Sequence, residues 1–235
     1  MPSVLLSTAY LPPVEYFAAV ARYGQVWIEA CETYQKQSYR NRCTILTANG
    51  KMNLNIPVKR GGDSFSHCLP ISEIEIDYSE NWPVRHFRAM EAAYMSSPFF
   101  VYYKDEIKDI LYGGEKLLFN FNLSFIKLLS GFCGIKAEFH LTGEYLPATQ
   151  SKGSISVISD PGSLLADIPS GCQEGDIIDL RYRIHPKSKE PSLMKEWGKE
   201  KPYWQVFSAK QGFVSGLSIV DLLFNEGPNS ISFLQ

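Results

Sequence analysis

The stretch that decides the fold runs Val4-Leu5-Leu6, then Ser7-Thr8-Ala9-Tyr10-Leu11-Pro12-Pro13, then Val14 through Tyr23 and Gly24, then Val26–Ala30. Val4-Leu5-Leu6 is a short apolar run of strand type. Val14, Phe17, Ala18 and Ala21 recur at i, i+3, i+4 and i+7, so the spacing predicts a helix over Pro13–Tyr23 with one buried face. Proline is tolerated in a first turn because the missing N–H would lack a partner anyway. Gly24 stands where a left-handed C-cap is wanted, and Val26–Ala30 reads as a second strand. A strand, a helix and a strand in succession imply a crossover and a parallel pair.

Working outward, Cys43–Thr47 and Met52–Val58 read as strands joined at Asn49-Gly50, a strong hairpin signal. Ile71–Ile76 alternates like a strand. Three helices follow: Pro83 to Met95, Ser97-Pro98 to Gly113-Gly114, and Glu115–Ser130 with the stripe Leu118, Phe121, Phe125, Leu128. Glu138–Leu141, Ile177–Ile184 and Tyr203–Ser208 read as strands. Gly143 to Gly175 is loop-rich, and His185–Lys201, with five lysines and three glutamates, reads as a mobile loop. Ser218-x-x-Asp221 fits a capping box for a last helix that Gly227-Pro228 stops. The expected fold class is α/β, with a mixed sheet, an N-terminal strand-helix-strand unit and a central helical segment, in a single domain over 1–235.

Composition excludes several classes. The 235 residues are 45 % hydrophobic and 20 % charged, which excludes global disorder. A net charge of -2 excludes a generally basic nucleic-acid binder. No apolar run reaches the roughly 18 residues of a membrane helix, and the N-terminus lacks a basic region ahead of its apolar stretch. The five cysteines are odd in number, irregularly spaced and without a CxxC pair. That pattern fits neither a disulfide framework nor a zinc site and points to the cytoplasm. The four histidines contain no i, i+4 pair. No metal and no cofactor is expected, and P-loop, GxGxxG and GxSxG motifs are absent.

Four segments could carry chemistry. The loop Thr8–Pro13 lies between a strand and a helix, where α/β ligands gather; Tyr10 would wall a pocket there. Tyr34-Gln35-Lys36-Gln37-Ser38-Tyr39-Arg40-Asn41-Arg42 opens a stretch, Thr33 to Gly62, without an acidic residue. Lys36, Arg40, Arg42, Lys51, Lys59 and Arg60 give it +6, so the rest of the chain carries -8. A single-sign field attracts anions, and an arginine fork grips a phosphate or carboxylate. Gln35, Lys36, Tyr39, Arg40, Asn41 and Arg42 are therefore candidate substrate-binding residues. Trp82-Pro83-Val84-Arg85-His86 offers His86 as a general base. In Tyr203-Trp204-Gln205 alternation puts Tyr203 and Gln205 on one face, as candidates for a polar ligand group. The neighbouring His67-Cys68 would point to opposite faces of a strand.

Taken together these blocks resemble the WbqC-like protein family: Tyr10-Leu11-Pro12-Pro13 with Tyr16-Phe17, Tyr34-Gln35-Lys36 through Asn41-Arg42, Trp82 with His86 and Tyr94, and Tyr203-Trp204-Gln205 with Ser218–Pro228. The resemblance covers nearly the whole chain. It departs at the start, where many members carry Gln-Pro and this chain has Ser7-Thr8-Ala9-Tyr10-Leu11-Pro12. The resemblance implies a role in O-antigen or other surface-polysaccharide assembly, as a transferase moving an aminoacyl or acyl group onto a nucleotide-linked amino sugar. A non-catalytic nucleotide-sugar binder is the alternative. The implied partner is a small anionic substrate; a tRNA as aminoacyl donor ranks last, and oligomeric state stays open.

Overall fold

The structure is a computed structural model that describes residues 2–59, 69–147 and 177–235. The chain enters through β1 (Ser3–Ser7), α1 (Val14–Tyr23) and β2 (Gln25–Glu29), as the opening stretch predicts. A hairpin follows, β3 (Arg42–Thr47) and β4 (Gly50–Asn55). The central helices are α2 (Trp82–Tyr94), α3 (Phe100–Tyr112) and α4 (Leu118–Phe132). Strands β5 (Glu138–Leu141) and β6 (Ile177–Asp179) complete the main sheet. Short helices α5 (Leu193–Glu196) and α6 (Ser208–Gln211) lead to α7 (Ile219–Glu226) and α8 (Ile231–Leu234).

The main sheet is parallel throughout, in the order β5-β2-β1-β6. Val4 registers with Val26 on one side and with Ile178 on the other. Val4, Leu5 and Leu6 have no exposure, as expected for a central parallel strand covered on both faces. The fold class is α/β, as the sequence predicts. The antiparallel pairing sits apart in the β3–β4 hairpin rather than in one mixed sheet.

Three predicted strands end differently. Ile71–Glu73 is a 3₁₀ turn: Ile71 and Ile74 are both buried because i and i+3 share one side of such a turn. The strand after Ile177 stops at Asp179, whose carboxylate accepts the Arg181 backbone N–H and turns the chain. Tyr203–Ser208 forms no strand; it lies along α7, where the Glu226 carboxylate accepts the Trp204 backbone N–H. The segment read as a mobile loop carries α5, capped by Ser192. Helix α4 runs through Gly131.

Gly24 caps α1 at φ 70°, its N–H on the Val20 carbonyl. Gly227 ends α7 at φ 55°, and a Cβ there would stand 2.4 Å from the Phe99 ring. No other residue fits that contact. Ser218 caps α7 through the Val220 N–H, but Asp221 does not close a capping box: its carboxylate turns into the core.

Candidate functional site

All four strands of the main sheet point the same way, so their carboxyl ends share one edge. β1 pairs with β2 on one side and β6 on the other, and the chain leaves β1 toward β2. The crevice between β1 and β6 is thus the switch point where α/β sheets take ligands. A cleft lies there, lined by Leu6–Ala9 at the end of β1 and Leu180, Arg181, Ile184 and His185 after β6, with Tyr16, Ser38, Tyr39 and Arg40 across it. Its volume is about 10 Å³, close to that of one water-sized group.

Two of the lining residues, Arg40 and Arg181, are held by ion pairs. Arg40 is buried against Glu32: Nε donates to Oε1 at 2.9 Å, and Nη2 donates to Oε2 and to Ser7 Oγ. Burial pushes the Glu32 carboxyl up, against the pull of Arg40. Beside it, Arg181 has no exposed side-chain surface and pairs with Glu29 at 2.9 Å and Asp179 at 2.7 Å. Glu29, equally buried, also accepts from the Cys31 and Leu146 backbone N–H groups and from Thr142 Oγ1. One carboxylate so ties together the ends of β2, β5 and β6. Fully satisfied buried pairs of this kind are costly to break at one end.

His185 lines the rim. Its Nδ1 accepts the Lys187 N–H at 3.1 Å. Desolvation lowers its pKa, and Arg40, Lys187 and Arg42 push it the same way. The imidazole is thus neutral near pH 7, with its proton on Nε2.

Outside the cleft lies an open groove of about 820 Å³, lined by Lys36, Gln37, Asn41, Arg42, Lys59 and Asp77 among others. Of the six predicted cations, Lys36, Arg42 and Lys59 face it. Lys59 pairs with exposed Glu75 at 2.6 Å. Among the described residues neither Lys36 nor Arg42 has a carboxylate partner. Arg40 turns inward to Glu32, and Lys51 donates to the Ser215 carbonyl elsewhere. Arg60, like His67 and Cys68, lies outside the described residues. The +6 of the sequence is therefore divided, not gathered in one patch.

The remaining predicted site residues are placed as follows. Asn41 Nδ2 donates to the Ile56 carbonyl, holding the end of β4 at the groove wall. Gln35 gives its carbonyl to Ser38 Oγ and lines neither the groove nor the cleft. Tyr39 lines the cleft, and its carbonyl accepts the Tyr10 N–H at 2.8 Å. Tyr10 is fully buried among Phe121, Phe125 and His86. Burial keeps its phenol protonated, so it donates to His86 Nδ1 at 3.0 Å. Desolvation takes the His86 pKa down to about 4, although a hydrogen bond to the Asn55 backbone pulls it up. At 6 % exposure, with Nδ1 occupied, His86 is a neutral core histidine in this state and not a base presented to a substrate.

Tyr203 and Gln205 do share a face, but it meets Asp221. Tyr203 Oη and Gln205 Nε2 both donate to Asp221 Oδ2, at 2.7 and 2.9 Å, and Tyr94 Oη donates to Oδ1 at 2.9 Å. Gln205 spends its other groups on Val214. This network pins the 203–214 segment to α7, away from both the groove and the cleft.

Sequence reasoning missed Glu29, Glu32, Arg181 and His185, and took Thr8 only as part of its loop. Glu29 carried a signal: a carboxylate inside the apolar run Val26–Ala30 needs a buried partner. Nothing in the sequence pointed that partner out at Arg181.

A parallel α/β sheet, with an ion-paired cleft at its switch point and an open basic groove, defines an α/β protein. The family model of the WbqC-like protein family matches residues 8–174, and the chain belongs to that family. It is 25 % identical over 234 residues to the uncharacterized protein Rv1507c of Mycobacterium tuberculosis (strain ATCC 25618 / H37Rv), covering 98 % of this chain and 96 % of the relative. No solved structure matches. Among the described residues, no helix is long and apolar enough to cross a membrane, and no group of three or more metal-ligating side chains forms.

Proposed function

We propose that this protein binds a nucleotide-linked amino sugar used in surface-polysaccharide assembly, with the diphosphate in the basic groove. The observation that carries this reading is the pair Lys36 and Arg42, without a carboxylate partner among the described residues, on a groove of about 820 Å³. Such a groove has room for a nucleotide-sized ligand. Arg42 supplies a fork and Lys36 a point charge. The association of WbqC-like proteins with O-antigen gene clusters supports the sugar. The test is a calorimetric titration with UDP-N-acetylglucosamine. Arg42→Ala and Lys36→Ala should each weaken binding about tenfold, the loss of one charge-assisted contact. Unchanged affinity in both variants removes the anion clamp.

Aminoacyl or acyl transfer onto the sugar amine is the second reading. The observation favouring it is that the cleft beside the groove presents a second histidine, His185. The chain would hold amine and acyl group together, the larger part of such catalysis. His185→Gln separates the readings: a transferase loses product by mass spectrometry while nucleotide-sugar affinity stays, and a binder forms no product in either protein.

A further inference from the structure

A third cavity, of about 50 Å³, lies where the start of α1 meets α5 and α8. One water needs roughly 10–15 Å³ on this measure, so the pocket admits a group of a few heavy atoms. It shares no lining residue with the basic groove or the switch-point cleft.

Three aromatic rings wall it. Tyr203 meets Phe213 and Phe233 at ring distances of 5.3 and 5.8 Å, close to perpendicular to both at 79° and 71°. Its hydroxyl is committed to Asp221, which fixes the ring. Aromatic faces carry negative charge density and attract a cation, the more so where water is excluded.

The charged groups of the lining favour the same kind of ligand. Glu15 and Glu200 supply two carboxylates against one ammonium, Lys201. Glu15 is half-buried in the first turn of α1. Its Oε2 accepts the Leu193 N–H at 2.9 Å, and its Oε1 has no hydrogen-bond partner among the described residues. Burial raises the Glu15 carboxyl pKa and Glu200 adds to the rise, which the Leu193 N–H and Arg183 offset only in part. Arg183 is itself shared between Glu190 and Glu196. Lys51 ends nearby, but its ammonium donates to the Ser215 carbonyl at 2.8 Å. A desolvated carboxylate with an uncommitted oxygen gains from a cation beside it. An anion would be repelled there, and a wholly apolar group would desolvate the carboxylate further without satisfying it.

We infer that this pocket binds the primary ammonium group of a small ligand, which donates to Glu15 Oε1 and packs against the aromatic wall of Tyr203, Phe213 and Phe233. The site stands apart from the groove and does not rest on the function proposed above.

Propylammonium and propanol test this, since they match in size and differ in charge. Each is titrated at pH 7 into isotope-labelled protein and followed by amide NMR shifts. Propylammonium should shift Glu15, Phe213 and Gly216 saturably, and bind about tenfold more tightly than propanol. Equal affinities, saturable shifts confined to other residues, or none at all overturn the site. Glu15→Gln keeps an oxygen for the Leu193 N–H and removes the charge; it should weaken propylammonium about tenfold and leave propanol unchanged. Phe213→Leu keeps an apolar wall and removes a ring; it should weaken propylammonium about threefold, again without effect on propanol. If the Glu15→Gln spectrum shows an unfolded chain, Phe213→Leu and Glu200→Gln decide, and unchanged propylammonium affinity in both overturns the site. UDP-N-acetylglucosamine binding in the groove should be the same in Phe213→Leu as in the wild type, so either site can fail alone.

Discussion

Acid should loosen this protein through His86. The imidazole sits between Trp82, 5.0 Å away ring to ring, and the Tyr10 hydroxyl, 3.0 Å from Nδ1. Burial lowers its pKa from the ordinary 6.5 to about 4. An unfolded chain takes up the proton near 6.5, and the folded chain only near 4. Between those values the unfolded state binds more protons, so stability is complete above about pH 6.5 and falls as pH drops toward 4. A gap of about 2.5 units corresponds to about 3 kcal/mol at 1.36 kcal/mol per unit. The measurement is urea unfolding of the wild type and His86→Gln at pH 7 and at pH 4. The variant loses stability at pH 7, because Tyr10 loses its acceptor, but its own pH slope should be flatter by about 3 kcal/mol. Other titrating groups, His185 among them, cancel in that difference. Equal acid losses in the two proteins would refute the reasoning. So would a His86 ring resonance that titrates near 6.5.

Further outcomes follow from single contacts. Asp221→Asn puts an amide where Tyr94, Tyr203 and Gln205 all donate, and should cost about 2 kcal/mol in urea unfolding; equal or greater stability means those donors do not need a carboxylate. Gly227→Ala drives a methyl to 2.4 Å from the Phe99 ring at φ 55°, and should cost about 2–3 kcal/mol, read as a fall of several degrees in Tm. Glu29→Gln turns one acceptor toward Arg181 and Leu146 into a donor and should cost about 3–5 kcal/mol. A Glu29→Gln protein as stable as the wild type would deny Glu29 its role in tying the strand ends.

The opening unit was legible because local and global signals agreed in it. The helical period of Val14, Phe17, Ala18 and Ala21, the cap at Gly24 and the apolar strands on either side all demanded one crossover. Asn49-Gly50 fixed the hairpin in the same way. Failure came where a polar side chain, not the apolar pattern, decided the backbone. Asp179 stopped a strand whose apolar–polar alternation continues to Ile184. Asp221 looked like a capping residue because its spacing from Ser218 was right; its three donors come from 18, 16 and 127 positions away, beyond any local pattern. His86 misled for a related reason. Its intrinsic pKa suits a base, but burial sets the pKa it has, and burial is a property of packing.

The acid-free segment shows most clearly what charge counting leaves out. Thr33 to Gly62 holds six cations, yet the nearest acid, Glu32, stands one residue before it. Folding brings that carboxylate onto Arg40 and removes it from the field. Arg42, two residues on, opens β3 and has no such partner among the described residues, so it keeps its charge on the groove. Two arginines with the same neighbours in sequence thus end in different surroundings, one neutralised by Glu32 at the cleft and one on the groove. The outcome is an outer groove bearing Lys36, Arg42 and Lys59 beside an inner cleft whose two guanidiniums, Arg40 and Arg181, are paired with buried carboxylates. An anion would be drawn to the groove, where Lys36 and Arg42 keep their charge, rather than to the cleft, where Arg40 and Arg181 are already paired with Glu32, Glu29 and Asp179.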